Sequence, residues 1–323
     1  MILLFSIVLT KAQTVKMLSS GNRISLRGLS VVDDNTIWVS GSNGTVGKSI
    51  DAGNNWTWMK VKGFDSTDFR DIEAFNDSTA IIMGISEPAY ILKTTNGGKD
   101  WKIVYENKTK GMFLDAMDFA DDKTGFVIGD PINDHFFKAS TLDGGEHWYP
   151  YPEKFAPVAD SAEACFASSG TNIRSTKKLK VVLVSGGKKS NILVGNKKYS
   201  LPLLQGKEST GANSVAVNQK KIIVVGGDFT TKDATDGNCC YSLNTGKTWS
   251  IPTTAPHGYR SCVEYLHDKV WISCGLNGSD ISTDDGNTWN WISKDSFNAC
   301  RKAKKGTAVF FAGGNGRIGK LIW

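Results

Sequence analysis

The sequence predicts an all-β protein built from repeated units of four short strands, and two observations carry this prediction. First, the 323 residues include 34 glycines and 8 prolines, but no long apolar pattern with helical spacing. Many tight turns between short strands are the natural interpretation of such a chain. Second, a tryptophan-containing octapeptide recurs along the sequence. The hydrophobic fraction of 40% and the charged fraction of 22% are typical of a globular protein with a substantial core.

The octapeptide has the pattern Ser/Thr-x-Asp/Asn-x-Gly-x-x-Trp, and it occupies residues 49–56, 94–101, 141–148, 242–249 and 282–289. Its chemistry is that of a hairpin turn. The Asp or Asn side chain accepts hydrogen bonds from the backbone amides that follow it, and the glycine adopts the positive φ that other residues resist. The Ser or Thr ends one strand, and the Trp begins the next and buries a large ring between neighbouring sheets.

The spacing of the octapeptides predicts seven units. Their tryptophans are 45, 47, 101 and 40 residues apart, and about 45 residues make one four-stranded blade of a β-propeller. The gap of 101 residues therefore holds two blades, with a degenerate turn at residues 195–198 and Tyr199 in the place of the tryptophan. Each unit also repeats a short inner strand, an apolar strand and a glycine-rich turn. In the fourth and fifth units the inner strand is expected at residues 163–166 and 213–215. We expect a seven-bladed β-propeller that forms a single domain over residues 13–323.

The seventh unit is one strand short at the C-terminus. The segment at residues 14–18 has no unit of its own, and we expect it to pair with the last blade and close the ring. Ring closure removes two exposed sheet edges, which would otherwise be open to aggregation.

Residues 1–12 resemble the end of a secretory signal. An apolar stretch from residue 2 to residue 9 precedes the small Ala12, after which cleavage is expected, although no positively charged stretch stands before it. A buried first strand is the alternative. We expect an exported protein, periplasmic or at the cell surface or outside the cell. No segment is long and apolar enough to form a transmembrane helix.

The patterns of charge and cysteine limit the kinds of partner and cofactor that we expect. The net charge is +6, but the lysine runs lie between strand-like segments rather than in one stripe with aromatic residues, so we expect no nucleic-acid partner. The six cysteines permit disulfides in an exported protein, and free buried thiols are equally compatible. Without a C-x-x-C motif, and with four scattered histidines, the sequence predicts no metal site and no cofactor. A monomer is expected.

The candidate ligand site is the mouth of the central channel. In a propeller, the start of each inner strand and the turn between the second and third strands share one face, and the octapeptide turns lie on the other. Arginines from several blades that converge with carboxylates favour recognition of an anionic group, with a structural ring of ion pairs as the alternative. The candidates are Arg27, Arg70, Asp71, Glu87, Asp115, Asp130, Glu163, Asp228, Tyr259 and Arg260.

The octapeptide resembles the Asp-box, or BNR, repeat of sialidases and many other propellers, in which the box is structural and lies away from the ligand. The style of residues 69–75 followed by residues 91–101 is more similar to the photosystem II stability/assembly-factor-like group of exported bacterial propellers. That resemblance implies seven blades and an assembly role rather than an enzymatic one. Sialidases have six blades and commonly an Arg-Ile-Pro motif, whereas here Arg23-Ile24 is followed by Ser25.

Three functional hypotheses follow. The leading one is a non-catalytic binding or assembly propeller that recognises a protein segment or an anionic ligand at the arginine-bearing channel mouth. The alternative is a glycoside hydrolase acting on a carbohydrate, either sialidase-like or with two carboxylates about 5 Å apart. The carboxylates available to such a hydrolase are Glu87, Asp115, Asp130 and Glu163. The third is a structural interaction domain without a channel ligand. The sequence contains neither a G-x-S-x-G elbow nor a P-loop.

Overall fold

The computed structural model describes residues 13–323 except residue 86, residues 177–179 and residue 196. The segment expected to be a secretory signal lies outside these residues. Regular structure in the described part consists of 28 β-strands and two three-residue 3-10 helices, Glu153–Phe155 and Gly314–Gly316. No helix of the described part has the length and apolar character needed to cross a membrane. The expectation of an all-β chain is confirmed.

The strands follow one another in antiparallel sheets, in chain order. The first described strand is β1 (Thr14–Ser19). The first sheet contains β2 (Leu26–Val31), β3 (Ile37–Gly41), β4 (Thr45–Ser49) and β5 (Thr57–Lys60). The second contains β6 (Phe69–Ala74), β7 (Ala80–Gly84), β8 (Ala89–Thr94) and β9 (Lys102–Asn107). The third contains β10 (Leu114–Phe119), β11 (Gly125–Ile132), β12 (His135–Thr141) and β13 (Tyr149–Pro150).

The middle of the chain forms one eight-stranded sheet. The C-terminal part of the chain contributes to two further four-stranded sheets. The eight strands are β14 (Glu163–Ala164), β15 (Ile173–Thr176), β16 (Lys180–Gly187), β17 (Asn191–Val194), β18 (Lys197–Ser200), β19 (Thr210–Asn218), β20 (Lys221–Asp228) and β21 (Cys239–Ser242). The next sheet contains β22 (Cys262–His267), β23 (Val270–Gly275), β24 (Gly278–Ser282) and β25 (Asn290–Ser293). The last contains β26 (Ala299–Lys302), β27 (Val309–Ala312), β28 (Ile318–Ile322) and, from the other end of the chain, β1.

The five octapeptide turns share one hydrogen-bond pattern. In each, the Ser or Thr hydroxyl accepts the amide N–H of the glycine four residues later, at 2.9–3.0 Å. The Asp or Asn carboxylate or amide oxygen accepts the N–H four residues after it, at 2.8–3.0 Å. The glycine φ lies between +77° and +88°, a region that favours glycine. Four of the five octapeptides therefore form the predicted turn between the third and fourth strands of a four-stranded sheet, and the one at residues 242–249 forms the same turn after β21.

The hydrophobic core lies between neighbouring sheets. Trp38 of the first sheet is fully buried among residues of the second, such as Ile72 and Leu92. Leu26 of the first sheet packs with Phe310 of the last, in the same cluster as other residues of both sheets. Each sheet thus buries both faces, which explains why the strands read as short apolar runs rather than as strictly alternating ones.

The two ends of the chain meet in the last sheet. Strand β1 pairs antiparallel with β28, with Thr14 opposite Ile322 and Lys16 opposite Lys320. This is the pairing that the sequence analysis predicted for residues 14–18. The innermost strands also contact one another in cyclic order, β2 with β6, β6 with β10, β10 with β15, β15 with β19, β19 with β22, β22 with β26, and β26 with β2.

The degenerate repeat differs from its prediction in two respects. Strands β17 and β18 pair as the predicted hairpin, with Val194 opposite Lys197, but Tyr199 is 40% exposed and does not replace a buried tryptophan. The stretch from Glu163 to Phe166 was also expected to be one inner strand. Only β14 pairs there, with Gly186 and Gly187 of β16, and the inner position beside the rest of β16 belongs to β15.

The residues between these two strands leave the sheet and enter the centre of the molecule. We call residues 165–172 the inserted segment. Its Ser169 hydroxyl donates to the Ser261 carbonyl at 2.7 Å, and Arg301 Nη2 donates to the Ser169 and Gly170 carbonyls at 3.2 and 3.3 Å. Gly170 has φ +64°, and a Cβ on it would lie 2.2 Å from the Asp71 carboxylate. The inserted segment therefore fills the space between inner strands of distant sheets.

Candidate functional site

A cavity of about 430 Å³ opens where the inner strands begin, within the range of ligand-binding clefts. Its walls combine positive charge, aromatic rings and one carboxyl group. The lining residues that bear on its chemistry are Arg27, Arg70, Asp130, Phe166, Phe229 and Tyr259. The inserted segment contributes Ser168 and its neighbours to the floor.

Four polar side chains of this region stand on β-bulges. Arg27, Arg70, Asp115 and Asn213 are each the extra residue where the inner strand slips against its neighbour. Arg27, Arg70 and Asn213 line the cavity. A bulge turns a side chain away from the alternating pattern of the strand and is frequent beside functional sites. The same local distortion in four sheets thus brings polar groups to one place.

The two guanidinium groups give the cavity a positive character. Arg70 Nε donates to Asp68 at 2.8 Å, and Arg27 Nη1 donates to the Ser168 carbonyl at 3.4 Å. Arg27 Nε is buried and has no hydrogen-bond partner in the described part of the chain. Burial and the nearby charge of Arg70 lower the pKa of Arg27. Two like charges with one carboxylate partner and an unsatisfied donor favour an incoming anion.

An aromatic wall stands in the same cavity. Phe229 packs edge-to-face against Phe166 and Tyr259, with ring centroids 5.9 and 6.4 Å apart. The Tyr259 hydroxyl donates to Asn213 Oδ1 at 2.8 Å and is fixed by that bond. Phe229 remains 42% exposed, so its ring is available to a ligand. Tyrosine and arginine are among the residue types that contribute most to binding at protein interfaces.

Two carboxyl groups lie at or behind the cavity. Asp130 lines it and accepts the amide N–H of Cys165 at 3.0 Å, and burial raises the pKa of Asp130 to about 6. Asp115 is fully buried, and neither of its oxygens has a hydrogen bond of good geometry to a described residue. Burial, followed by the charge of Asp130, raises the pKa of Asp115 well above its ordinary value. The pair therefore holds protons at pH values where ordinary aspartates are ionised.

Asp115→Asn is expected to flatten the dependence of stability on pH. Because the folded-state pKa of Asp115 is raised, the folded protein keeps a proton that the unfolded chain releases above about pH 4. Relative to the Asn variant, the wild type should therefore lose about 1.4 kcal/mol of unfolding free energy per pH unit above pH 4, up to the folded-state pKa. Urea denaturation of both proteins from pH 4 to pH 8 measures this difference. A constant difference across that range would contradict the assignment of a buried, protonated Asp115.

Asp71 and Glu163 lie in hydrogen-bond networks rather than at the cavity. Asp71 accepts the amides of Met117 and Ile72 at 2.7 and 2.9 Å beneath the inserted segment, and burial raises its pKa to about 8. Glu163 is bound by the Ser185 hydroxyl, the Asn191 amide, the Asp160 backbone N–H and Lys198 Nζ. Both carboxyl groups are thus engaged in hydrogen bonds within the described chain, and neither lines the cavity.

The remaining three candidates are also occupied by contacts within the chain. Arg260 is fully buried, binds Asp280 and Asn277, and donates to two backbone carbonyls. Asp228 accepts the Thr230 amide and hydroxyl at 2.9 and 2.6 Å, and Glu87 accepts the Gly111 amide at 3.0 Å. Of the ten sequence candidates, the structure gathers Arg27, Arg70, Asp130 and Tyr259 in one cavity, with Asp115 behind them.

Several residues of the cavity were not singled out from the sequence. Phe229 follows a glycine-rich turn, where an apolar residue is unusual. That position alone could have marked Phe229 as a candidate ligand-binding residue. Phe166 and Ser168 belong to the inserted segment, which the strand pattern concealed. Asn213 was assigned to an inner strand, but its bulge could not be predicted from the apolar pattern.

A second cavity, of about 470 Å³, lies where the inner strands end. Its charges are largely paired within the chain. Arg174 contacts Asp118 at 3.6 Å and Glu264 at 3.2 Å, and Lys304 pairs with Glu73. Because its carboxylates and cations offset one another, this cavity attracts an anion less strongly than the arginine-bearing cavity does.

Comparison with known proteins identifies the fold. No protein-family profile matches the chain, and no curated protein is significantly similar to it in sequence. The solved structure of YCF48 bound to D1 peptide has a TM-score of 0.68 and 14% identity, over 98% of this chain and 97% of that one. YCF48 from Cyanidioschyzon merolae gives a TM-score of 0.67 and 15% identity, over 95% and 98%. The Neurospora crassa Pan2 WD40 domain gives 0.63 and 11%, over 97% and 96%. These likenesses show a β-propeller.

Proposed function

We propose that this chain is a closed seven-bladed propeller that binds a segment of another protein without catalysing a reaction. The seven innermost strands that contact one another in cyclic order, and the pairing of β1 with β28, support the blade number and the closure. The eight-stranded sheet then contains two blades, joined through the single pair Gly186 and Gly211. A glycine at each position allows that close approach, since a Cβ on Gly211 would lie 2.5 Å from Gly186 Cα.

The bound segment carries an anionic side chain or terminus next to an apolar residue. One observation carries this proposal: two bulged arginines and an exposed phenylalanine share one cavity, and Arg27 Nε has no partner among the described residues. A carboxylate would satisfy that donor and the Arg70 guanidinium with charge-assisted hydrogen bonds. The apolar residue would pack on Phe229. One solved neighbour, YCF48 bound to D1 peptide, is a protein of similar fold with a peptide ligand and supports the same class of partner here.

Arg70→Gln is expected to weaken peptide binding by about 10- to 100-fold, because one charge-assisted hydrogen bond contributes roughly 1.5–3 kcal/mol. Fluorescence anisotropy measures this with a panel of labelled peptides that share one aromatic residue and carry Asp, Asn or Lys beside it. The Asp peptides should bind best to the wild type. The Arg70 side chain is 26% exposed and pairs with an equally exposed Asp68, so its loss should change stability by less than about 1 kcal/mol.

Lys99→Gln is the matched control for this experiment. It removes one positive charge from an exposed position on an octapeptide turn outside the cavity. Equal losses of affinity in the two variants would mean that Arg70 acts only through the net charge of the protein and does not contact the peptide. Equal binding of the Asp and Asn peptides by the wild type would remove the anionic group from the proposal.

We further propose that the protein acts after export, in the periplasm or outside the cell. The apolar segment at residues 2–9 followed by Ala12 supports this location. Fractionation of cells that produce the full chain, with mass spectrometry of the mature N-terminus, tests it. Full-length protein that stays with the cytoplasmic fraction would contradict export.

A glycoside hydrolase is the second candidate, because the pKa values of Asp130, which lines the cavity, and of Asp115, which is buried behind it, are both raised. Asp130 would be the general acid, since it lines the cavity, whereas Asp115 is fully buried behind it. Hydrolysis of a fluorogenic glycoside panel, sialosides included, by the wild type and by Asp130→Asn separates the two functions. Turnover that disappears in Asp130→Asn would favour the hydrolase over the binding protein.

A further inference from the structure

A cluster of three buried cysteines lies outside the arginine-bearing cavity and plays no part in the function proposed above. Cys262 of β22 and Cys274 of β23 stand opposite each other in one sheet, and Cys300 belongs to β26 of the next. Their three sulfur atoms all lie within 4.8 Å of one another. All three residues are fully buried, and every cysteine of the chain is a free thiol.

The sulfur positions match the requirements of a metal ion. When three atoms lie within 4.8 Å of one another, a single point can lie within about 2.8 Å of all three. Metal–thiolate bonds are about 2.3 Å long for zinc, so a small contraction of the cluster would complete three bonds. Because the ligands come from two adjacent sheets, a bound ion would also join those sheets.

A guanidinium group and a hydroxyl group lie beside the cluster. Arg301 Nη1 lies 3.4 Å from Cys262 Sγ, and the Thr171 hydroxyl lies 3.8 Å from the same sulfur. One guanidinium beside the cluster offsets part of the negative charge that several thiolates bring.

The donor set discriminates among metals. The described part of the chain places no histidine or carboxylate in this cluster, so a fourth ligand of the kind that structural zinc sites use is missing. Soft thiolates with low coordination suit Cu(I). We propose that Cys262, Cys274 and Cys300 form a three-coordinate thiolate site for Cu(I). The competing arrangement is a disulfide between Cys262 and Cys274, with Cys300 left free.

Titration with Cu(I) tests the site. The full chain, reduced and kept anaerobic, competes for Cu(I) with a coloured chelator, and native mass spectrometry counts the bound ions. We expect one Cu(I) per chain with sulfur-only coordination in X-ray absorption. Cys300→Ala should lower the affinity by more than about 100-fold, since loss of even an outer-shell partner commonly costs 10- to 100-fold.

Cys240→Ala is the matched control, because Cys240 is equally buried but lies in β21, outside the cluster. It should bind Cu(I) as the wild type does. Three results would overturn the proposal: no Cu(I) binding by the wild type, equal affinity in Cys300→Ala, or a Cys262–Cys274 disulfide in protein isolated without reductant. If Cys300→Ala does not fold, the coordination of copper in the wild type decides, and oxygen or nitrogen ligands would rule the site out.

Discussion

Arg260→Ala is expected to lower the free energy of unfolding by about 3–5 kcal/mol, although the sequence analysis placed Arg260 among the ligand-binding candidates. The Arg260 side chain is fully buried, and its Nε donates to Asp280 at 2.6 Å. It also donates to Asn277 Oδ1 at 2.6 Å and to the carbonyls of Tyr259 and His257 at 2.8 and 2.9 Å. Its removal leaves the buried Asp280 carboxylate without its counter-ion, and that uncompensated charge is the main cost.

Chemical denaturation of the wild type, Arg260→Ala and Arg70→Ala measures the effect. The Arg70 variant is the control, since its partly exposed pair with Asp68 should contribute less than about 1 kcal/mol. Comparable losses in the two arginine variants would mean that Arg260 is not the structural anchor described here. The double variant Arg260→Met with Asp280→Leu should recover much of the loss, because replacing a buried ion pair by apolar residues is often neutral.

Trp289→Ala is expected to destabilise the protein by about 3–5 kcal/mol, because it removes an indole ring from the space between two sheets. Trp289 is the last octapeptide tryptophan, is 3% exposed and belongs to a buried cluster with Trp271 and Ile223. Its Nε1 also donates to the Gly286 carbonyl of its own turn at 3.1 Å. The loss should therefore include both the cavity and the turn.

Trp291→Ala, two residues further on, is the matched control. Trp291 is 41% exposed and stacks on His257 at the surface, so its replacement should cost much less. Thermal and urea unfolding of the two variants compare the buried Trp289, which ends the octapeptide, with the exposed Trp291 of β25. If the Trp289 variant were as stable as the Trp291 variant, the octapeptide tryptophan would not have the packing role described here.

Most of the local structure followed from the sequence, because the octapeptide is a self-contained turn. Its Ser or Thr, Asp or Asn, and Gly make all their defining hydrogen bonds within eight residues. The pairing of β1 with β28 was also predictable. The segment at residues 14–18 belonged to no unit, and the seventh unit lacked one strand, so the segment could complete that unit. The β-propeller fold expected from these features is confirmed by the solved structures of similar fold.

The candidate site was predictable only in part, since it depends on contacts between distant residues. A bulge adds one residue and leaves no mark in an apolar pattern, so the shared position of Arg27 and Arg70 could be expected but its geometry could not. The partner of Arg260 is twenty residues away on the third strand of its sheet. Cys165 and Phe166 were expected to continue the inner strand that Glu163 and Ala164 do form, and the departure of the chain after Ala164 depends on Gly170 fitting against Asp71.

The most direct test of the proposed peptide site is photo-crosslinking from inside the arginine-bearing cavity. A photoreactive phenylalanine analogue replaces Phe229 in one variant and Leu243, an exposed residue of an octapeptide turn, in another. Each variant is irradiated with the tightest-binding acidic aromatic peptide, and mass spectrometry locates the adduct. We expect a cross-link from position 229 that unlabelled peptide suppresses, and none from position 243. Cross-linking from position 243 alone, or equally from both positions, would contradict a peptide site in this cavity.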